Sequence, residues 1–200
     1  MNAQLQIAAG TLLEGGHYAG KINIAGVEYG IVVAPKAQGE IKDSIWIARY
    51  KDVPAALNFC DGLANSQAMA EAGSKLATKI LALSIGGYTD WYLPAMDELE
   101  ICYRAFKPTT DENSLYARSG INISAVPPTY PYTRDFPAQT TNELFRADAT
   151  EAFDATWYWS STQHAGNSHD AWYQAFLTGY QYHASKGHLF RARAVRRFKL

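Results

Sequence analysis

The order of local signals along this chain predicts an α+β fold. Short β-branched runs punctuated by glycine fill the first 50 residues, helical periodicity follows to about residue 106, and strand alternation returns after residue 156. Strands, then helices, then strands fit α+β, whereas a parallel α/β fold would alternate them. With 200 residues, 48% hydrophobic and 18% charged, the chain can bury one core and is not disordered. A single domain over 1–200 is expected, with 1–50 as an N-terminal β segment and 51–200 as the remainder; there is no linker and no internal repeat.

Lys21–Ile24 and Tyr29–Val33 are the first strand candidates, with Gly15, Gly16, Gly20, Gly26 and Gly30 as turn positions. Ile45, Trp46 and Ile47 suggest another strand. Asp52 can cap a helix starting at Val53 with Pro54 in its first turn, and Ala56, Leu57, Cys60, Leu63 and Ala64 then share one face. Met69, Ala72, Leu76 and Ile80 continue the helical spacing from Gln67 to Leu83. Gly73 interrupts it, so this stretch is one broken helix or two short ones. Leu93-Pro94 opens the next helix, with a stripe of Met96, Leu99, Tyr103 and Phe106. Its acids Asp97, Glu98 and Glu100 are expected on the N-terminal turn and the solvated face. Pro127, Pro128, Pro131 and Pro137 predict an irregular loop over 108–140, followed by a short helix between Glu143 and Phe153. Thr156–Ser161, Ala171–Leu177 and Arg191–Phe198 are the closing strands.

A net charge of −1 provides no global field toward nucleic acid or an anionic membrane, and neither partner is expected. Met1 to Gly10 has no basic n-region, and no long apolar stretch occurs anywhere, so folding in a cytoplasm without a signal peptide or membrane insertion is the expectation. Cys60 and Cys102 are expected to be reduced, buried thiols. His164, His169, His183 and His188 cluster late in the chain, but no HExxH or Cys–His framework accompanies them, and no metal is expected. Ser160, Ser161, His164 and Asp170 are the residue types of a hydrolase triad without a GxSxG elbow, so no catalytic residues are assigned. No phosphate loop is present, and no cofactor is expected. Arg191, Arg193, Arg196 and Arg197 divide between two strand faces, which fits ion pairs better than a nucleic-acid stripe.

The aromatic residues are more informative. Trp157, Tyr158, Trp159, Trp172, Tyr173, Phe176, Tyr180 and Tyr182 fall close together, in a chain with 13 Tyr and 5 Trp. Alternation sets Trp157 and Trp159 on one face against Tyr158. Two segments read as loops follow. One carries Gln163, His164, Asn167, His169 and Asp170; the other carries Tyr180, Tyr182, His183, Lys186 and His188. Flat aromatics mixed with adaptable polar groups suit a ligand-binding face, and these ten residues are the candidate contacts. The competing reading is an aromatic core with ordinary exposed loops.

Gly87-Tyr88-Thr89-Asp90-Trp91-Tyr92-Leu93-Pro94, with Glu98-Leu99 after it, resembles the GY-DWRLP---EL pattern of the Lcl C-terminal domain family. Tyr158 with Trp159-Ser160-Ser161-Thr162 matches its YWSST element, and Ala171-Trp172, Gly179 and Arg193-Ala194-Val195-Arg196 match its closing pattern. Tyr92 stands where Arg is usual, and Ala192 where Val is usual. The resemblance implies a C-type-lectin-like fold: a small twisted antiparallel sheet, two main helices and long irregular loops. It also implies a non-enzymatic recognition module, and the lack of a signal peptide favours a phage or prophage setting over a secreted adhesin. The expectation is a tail-fibre or tail-tip adhesin in the virion. It would bind a host cell-surface glycan or protein, associate with other tail proteins, and form a homo-oligomer, with a trimer as the prior. The alternatives are a structural virion protein whose aromatics pack subunits and, further off, an enzyme like the formylglycine-generating ones. The latter work through a cysteine pair that Cys60 and Cys102 do not match.

Overall fold

The structure, a computed structural model, describes residues 7–200. The chain contributes nine strands and four α-helices in these residues: β1 (Leu12–Leu13), β2 (Gly16–Ile24), β3 (Val27–Val33), α1 (Lys36–Gly39), β4 (Glu40–Ser44), α2 (Gly62–Glu71), α3 (Lys75–Leu81), α4 (Met96–Phe106), β5 (Trp157–Gln163), β6 (Asp170–Ala175), β7 (Gln181–Ser185), β8 (Phe190–Arg193) and β9 (Val195–Lys199). The α+β class holds, with four helices where two main ones were expected.

The strands form two sheets, ordered β1-β2-β3-β9 and β4-β8-β5-β6-β7. All pairings are antiparallel except a parallel contact between β5 and β8 at Tyr158 and Arg191. The N-terminal β segment and the last strand share a sheet: β3 runs along β9 from Tyr29 opposite Lys199 to Val33 opposite Val195. The single strand anticipated over 191–198 divides at Ala194. Its N–H donates to Gly39 O and its carbonyl accepts from Ala34 N–H, carrying the chain from one sheet into the other.

Two apolar clusters fill the interior. Trp46, Trp91, Leu93, Met69, Ile80 and Trp159 pack α2 and α3 against the five-stranded sheet. Leu99, Tyr103 and Phe106 of α4 pack with Ile22, Ile31, Tyr158, Phe153 and Phe176 in the other. The motif residues Trp91 and Leu93 are fully buried, as expected of core anchors.

The helical region departs from the periodicity reading. Asp52 and Pro54 start no helix; α2 begins at Gly62, where the Asp61 carboxylate accepts from Ala64 N–H at 3.0 Å. Val53 is instead tied to Gln163, whose side-chain carbonyl accepts from its N–H at 2.7 Å. The Gln67–Leu83 stretch resolves into two helices. Gly73 sits between them at φ +97°, a conformation costly for any residue with a Cβ. Ser74 then caps α3 through Ala77 N–H. Ile45–Ile47 lies outside any strand, and only Glu143–Phe145 forms a 3₁₀ turn of the helix expected up to Phe153.

The acids of α4 are not solvated. Asp97, Glu98 and Glu100 are buried at 2%, 0% and 0% exposure. Asp97 accepts from Arg118 at 2.8 Å and Ser124 Oγ at 2.7 Å; Glu100 accepts from Asn122 at 2.9 Å, Tyr132 OH at 3.1 Å and Arg104. Every partner of these two outside the helix lies in the irregular 108–140 loop. A buried charge must be paired, so these carboxylates fasten the loop to the helix. Burial pushes the Glu100 carboxyl pKa up against these partners.

Candidate functional site

The candidate site is built on the β6–β7 hairpin at one edge of the five-stranded sheet. The segment read as a loop over 177–188 is largely strand β7, so the expected geometry changes. Trp172 stands opposite His183, Tyr173 opposite Tyr182, and Asp170 opposite Ser185. The second strand returns to the end of the hairpin where 163–170 lies. The turn rests on Gly179 at φ +71°, where a Cβ would come within 2.5 Å of the Tyr103 ring. Gly179 N–H closes the turn on Ala175 O at 2.8 Å.

Alternation along the hairpin places the candidates on two faces, whose rings nonetheless meet where Tyr182 and His183 stack at 4.4 Å. On one, Tyr180 and Tyr182 stack at 5.5 Å, and Tyr116 from the long loop joins them at 6.1 Å and 6.4 Å. Tyr116 is 67% exposed, and the other two are half-buried. Its place is fixed by Ala117, which bridges Gln181, and by the buried Gln181 Oε1, which accepts from Gly120 N–H at 2.9 Å. Sequence reasoning missed Tyr116, whose only signal was an aromatic residue in a polar, proline-rich stretch.

On the other face, His164 and His183 stack at 3.9 Å beside Trp172, which also meets Phe59 at 5.6 Å. His183 Nδ1 lies 2.8 Å from Asp170 Oδ2. Burial, and then the neighbouring His183, push the His164 pKa down. Asn167, His169 and His188 are exposed. Asn167 Oδ1 accepts from His169 N–H at 3.1 Å, and His188 stacks on Phe190 at 5.5 Å.

Two of the ten candidates belong to the interior instead. Gln163 is 3% exposed; its amide donates to Asp52 at 2.8 Å, and its carbonyl accepts from Val53 N–H at 2.7 Å. Lys186 is fully buried over the Trp46 ring at 4.5 Å, and its ammonium donates to Lys51 O at 2.8 Å and to Gln163 Oε1 at 2.5 Å. Desolvation pushes its pKa down to about 8. Lys186 is therefore an internal tie and not a ligand contact: its ammonium is already hydrogen-bonded to two buried oxygens, and reaching solvent would uncover the Trp46 indole.

The triad residue types do not converge. Ser160 Oγ donates to Trp172 O at 2.9 Å, Ser161 Oγ accepts from Asn65, and Asp170 sits on His183. Among the described residues, no group of three or more His, Cys, Asp or Glu is arranged to hold a metal ion. No described helix is long and apolar enough to cross a membrane. The four closing arginines each find acids: Arg191 with Glu40 and Asp154, Arg193 with Glu151, Arg196 with Glu14 and Asp90, and Arg197 with Asp61. Cys102 is buried and Cys60 half-buried; both are free, and burial pushes both thiols up. Cys60 precedes α2 and is not part of it.

The arrangement offers stacking surface and directional hydrogen bonds on a preset frame, the chemistry of adsorption. Among known protein families, residues 40–196 match the Lcl C-terminal domain. No curated protein matches the chain.

Proposed function

The chain belongs to the Lcl C-terminal domain family, and on that premise we propose that it is a non-enzymatic recognition module that binds a host cell-surface glycan or protein. The observation that carries this reading is the tyrosine ladder of Tyr116, Tyr180 and Tyr182, with rings stacked or tilted at 5.5–6.4 Å, led by the exposed Tyr116 with Tyr180 and Tyr182 half-buried behind it. Rigid, amphipathic rings of this kind give large contact area at low entropic cost and dominate recognition surfaces. Asn167, His169 and Asp170 at the neighbouring strand end supply polar contacts. The β3–β9 closure of the two chain ends and the long irregular loop over 108–140 support a C-type-lectin-like arrangement. The phage setting, a tail-tip or fibre adhesin that associates with other tail proteins, is carried over from the family resemblance.

The second reading, a structural virion protein, is favoured by one feature. Ile123, Tyr130 and Phe136 of the long loop are 80%, 84% and 61% exposed, and apolar groups held out in this way suit subunit packing. Flow cytometry of the fluorescently labelled protein on a panel of bacterial strains separates the two. Saturable binding to a subset of strains is the expected result; uniform absence of binding would overturn the adhesin reading and leave the structural one.

A further inference from the structure

We propose a second ligand site, independent of the tyrosine ladder: the cleft where β5 begins beside β8 holds one ring of a neutral sugar, stacked on Trp157. The cleft has a volume of about 350 Å³ and is lined by Trp157, Phe190, Thr156, Asp154, Arg191 and Asp43 among others. That size lies at the lower end of small-molecule sites.

Trp157 is the feature that needs an explanation. Trp46, Trp91 and Trp159 are all fully buried, whereas Trp157 is 49% exposed. Strand alternation gives it the same face as Trp159, but Trp159 is covered and donates its indole N–H to Ser44 O at 2.9 Å. The Trp157 ring packs edge-on to Phe190 at 5.1 Å and tilted against Tyr173 at 6.0 Å. Its orientation is thus set by buried neighbours while about half of it stays exposed and it lines the cleft. An indole face is electron-rich and attracts the positively polarised C–H groups of a sugar ring. A ring already fixed in place loses little further freedom on binding.

The polar groups around it are equally preset. Asp154 accepts from Lys36 Nζ at 2.6 Å and lies 2.8 Å from Arg191 Nη2, and Arg191 Nη1 donates to Glu40 at 2.9 Å. A carboxylate has about four acceptor positions, so Asp154 keeps capacity for a hydroxyl. Thr156 and the exposed Asp43 add a donor and further acceptors at the rim. The charged groups lining the cleft are the acids Asp154 and Asp43 and one cation, Arg191, which is held between Glu40 and Asp154. Phosphate or sulfate would meet these carboxylates and a guanidinium already held by two of them; an uncharged polyol needs no countercharge and can use donors and acceptors together.

Nuclear magnetic resonance of the ¹⁵N-labelled full chain tests this, because its 5 tryptophans give separable indole N–H signals. The probes are the methyl glycosides of glucose, galactose, mannose and N-acetylglucosamine, with sodium sulfate as the anion control. At least one glycoside is expected to move the Trp157 signal saturably, in the millimolar range, with sulfate inert. Trp157→Ala should weaken that binding by roughly tenfold or more, read on the Thr156 and Arg191 amides. The remaining indole signals report whether the fold is intact, and Trp157→Phe should retain partial binding. Tyr116→Ala should leave the response unchanged, which separates failure of this site from failure of the ladder. The proposal is overturned if none of the glycosides moves the Trp157 signal, if Trp157→Ala binds as before, or if sulfate produces the larger response.

Discussion

Glu98 is a buried carboxylate with no cation in contact, and its replacement by glutamine should stabilise the protein at neutral pH. Its Oε2 accepts from Ala95 N–H at 2.8 Å and Gly62 N–H at 3.0 Å, and its Oε1 accepts from Tyr92 OH at 2.6 Å. It thereby joins the starts of α2 and α4. Burial pushes its pKa from 4.5 to about 7, even though its hydrogen bonds and the charge of Arg197 favour the ionised form. Between those two values the folded state binds more protons at this site than the unfolded state does. Its contribution is therefore most favourable below pH 4.5 and is lost as pH rises to 7. At about 1.4 kcal/mol per tenfold change in proton affinity, the loss is about 3 kcal/mol. In Glu98→Gln the amide oxygen can still accept both backbone N–H groups, and the Tyr92 hydroxyl can turn to accept from the amide nitrogen. That variant should match the wild type near pH 4.5 and exceed it by up to about 3 kcal/mol at pH 8. Glu98→Ala leaves two buried N–H groups unpaired, at about 1–3 kcal/mol each, and should be destabilised at both pH values. Urea denaturation of the three proteins at pH 4.5, 6 and 8 provides the comparison. A Glu98→Gln protein less stable than the wild type at pH 8, or a stability difference that does not change with pH, would refute the reasoning.

Lys186→Ala should lower stability by about 3 kcal/mol, from the cavity over Trp46 and the orphaned Lys51 carbonyl, while binding by the folded fraction persists; thermal melts with parallel cell binding check this. Because the Lys186 pKa is pushed down to about 8, its contribution should become more favourable as pH rises from 8 toward 10.5, a trend that Lys186→Met would lack. Trp91→Ala should cost about 3–5 kcal/mol, read by the same melts. Iodoacetamide followed by mass spectrometry should modify Cys60 slowly and Cys102 only after denaturation, with no disulfide mass; rapid native labelling of Cys102 would contradict its burial.

The sequence made some of this legible and hid the rest for identifiable reasons. Periodicity found α4 because Met96, Leu99, Tyr103 and Phe106 repeat at helical spacing over a Pro-led start. Alternation sorted Trp157 and Trp159 from Tyr158, whose ring indeed packs with Phe153 and Phe176. Strand β7 was hidden because Gln181-Tyr182-His183-Ala184-Ser185 has only Tyr182 and Ala184 on its apolar face and no β-branched residue, and its strand character comes from pairing with β6. The acids of α4 looked solvated because their partners, Arg118, Ser124, Asn122 and Tyr132, lie more than 20 residues away in a loop with no periodicity. Most of the candidate residues, read as two loops, fall on the β6–β7 hairpin and the turn before it. Gln163 and Lys186 were assigned to it because a polar side chain beside aromatics reads the same whether it points to solvent or ties two buried carbonyl groups together. Tyr92, standing where the family usually has Arg, donates a hydrogen bond to Glu98 but brings no charge, so burial dominates and holds that carboxyl's pKa up.

The most direct test of the central claim is strain-panel binding by the double variant Tyr116→Ala/Tyr180→Ala. Tyr116 is exposed and Tyr180 half-buried, so their truncation should cost about 1 kcal/mol of stability and a few degrees of melting temperature. If the ladder is the recognition surface, losing two of its three rings should reduce cell binding at least roughly thirtyfold, about 2 kcal/mol or more. Undiminished binding by the folded double variant would contradict the account and remove the ladder from the recognition surface.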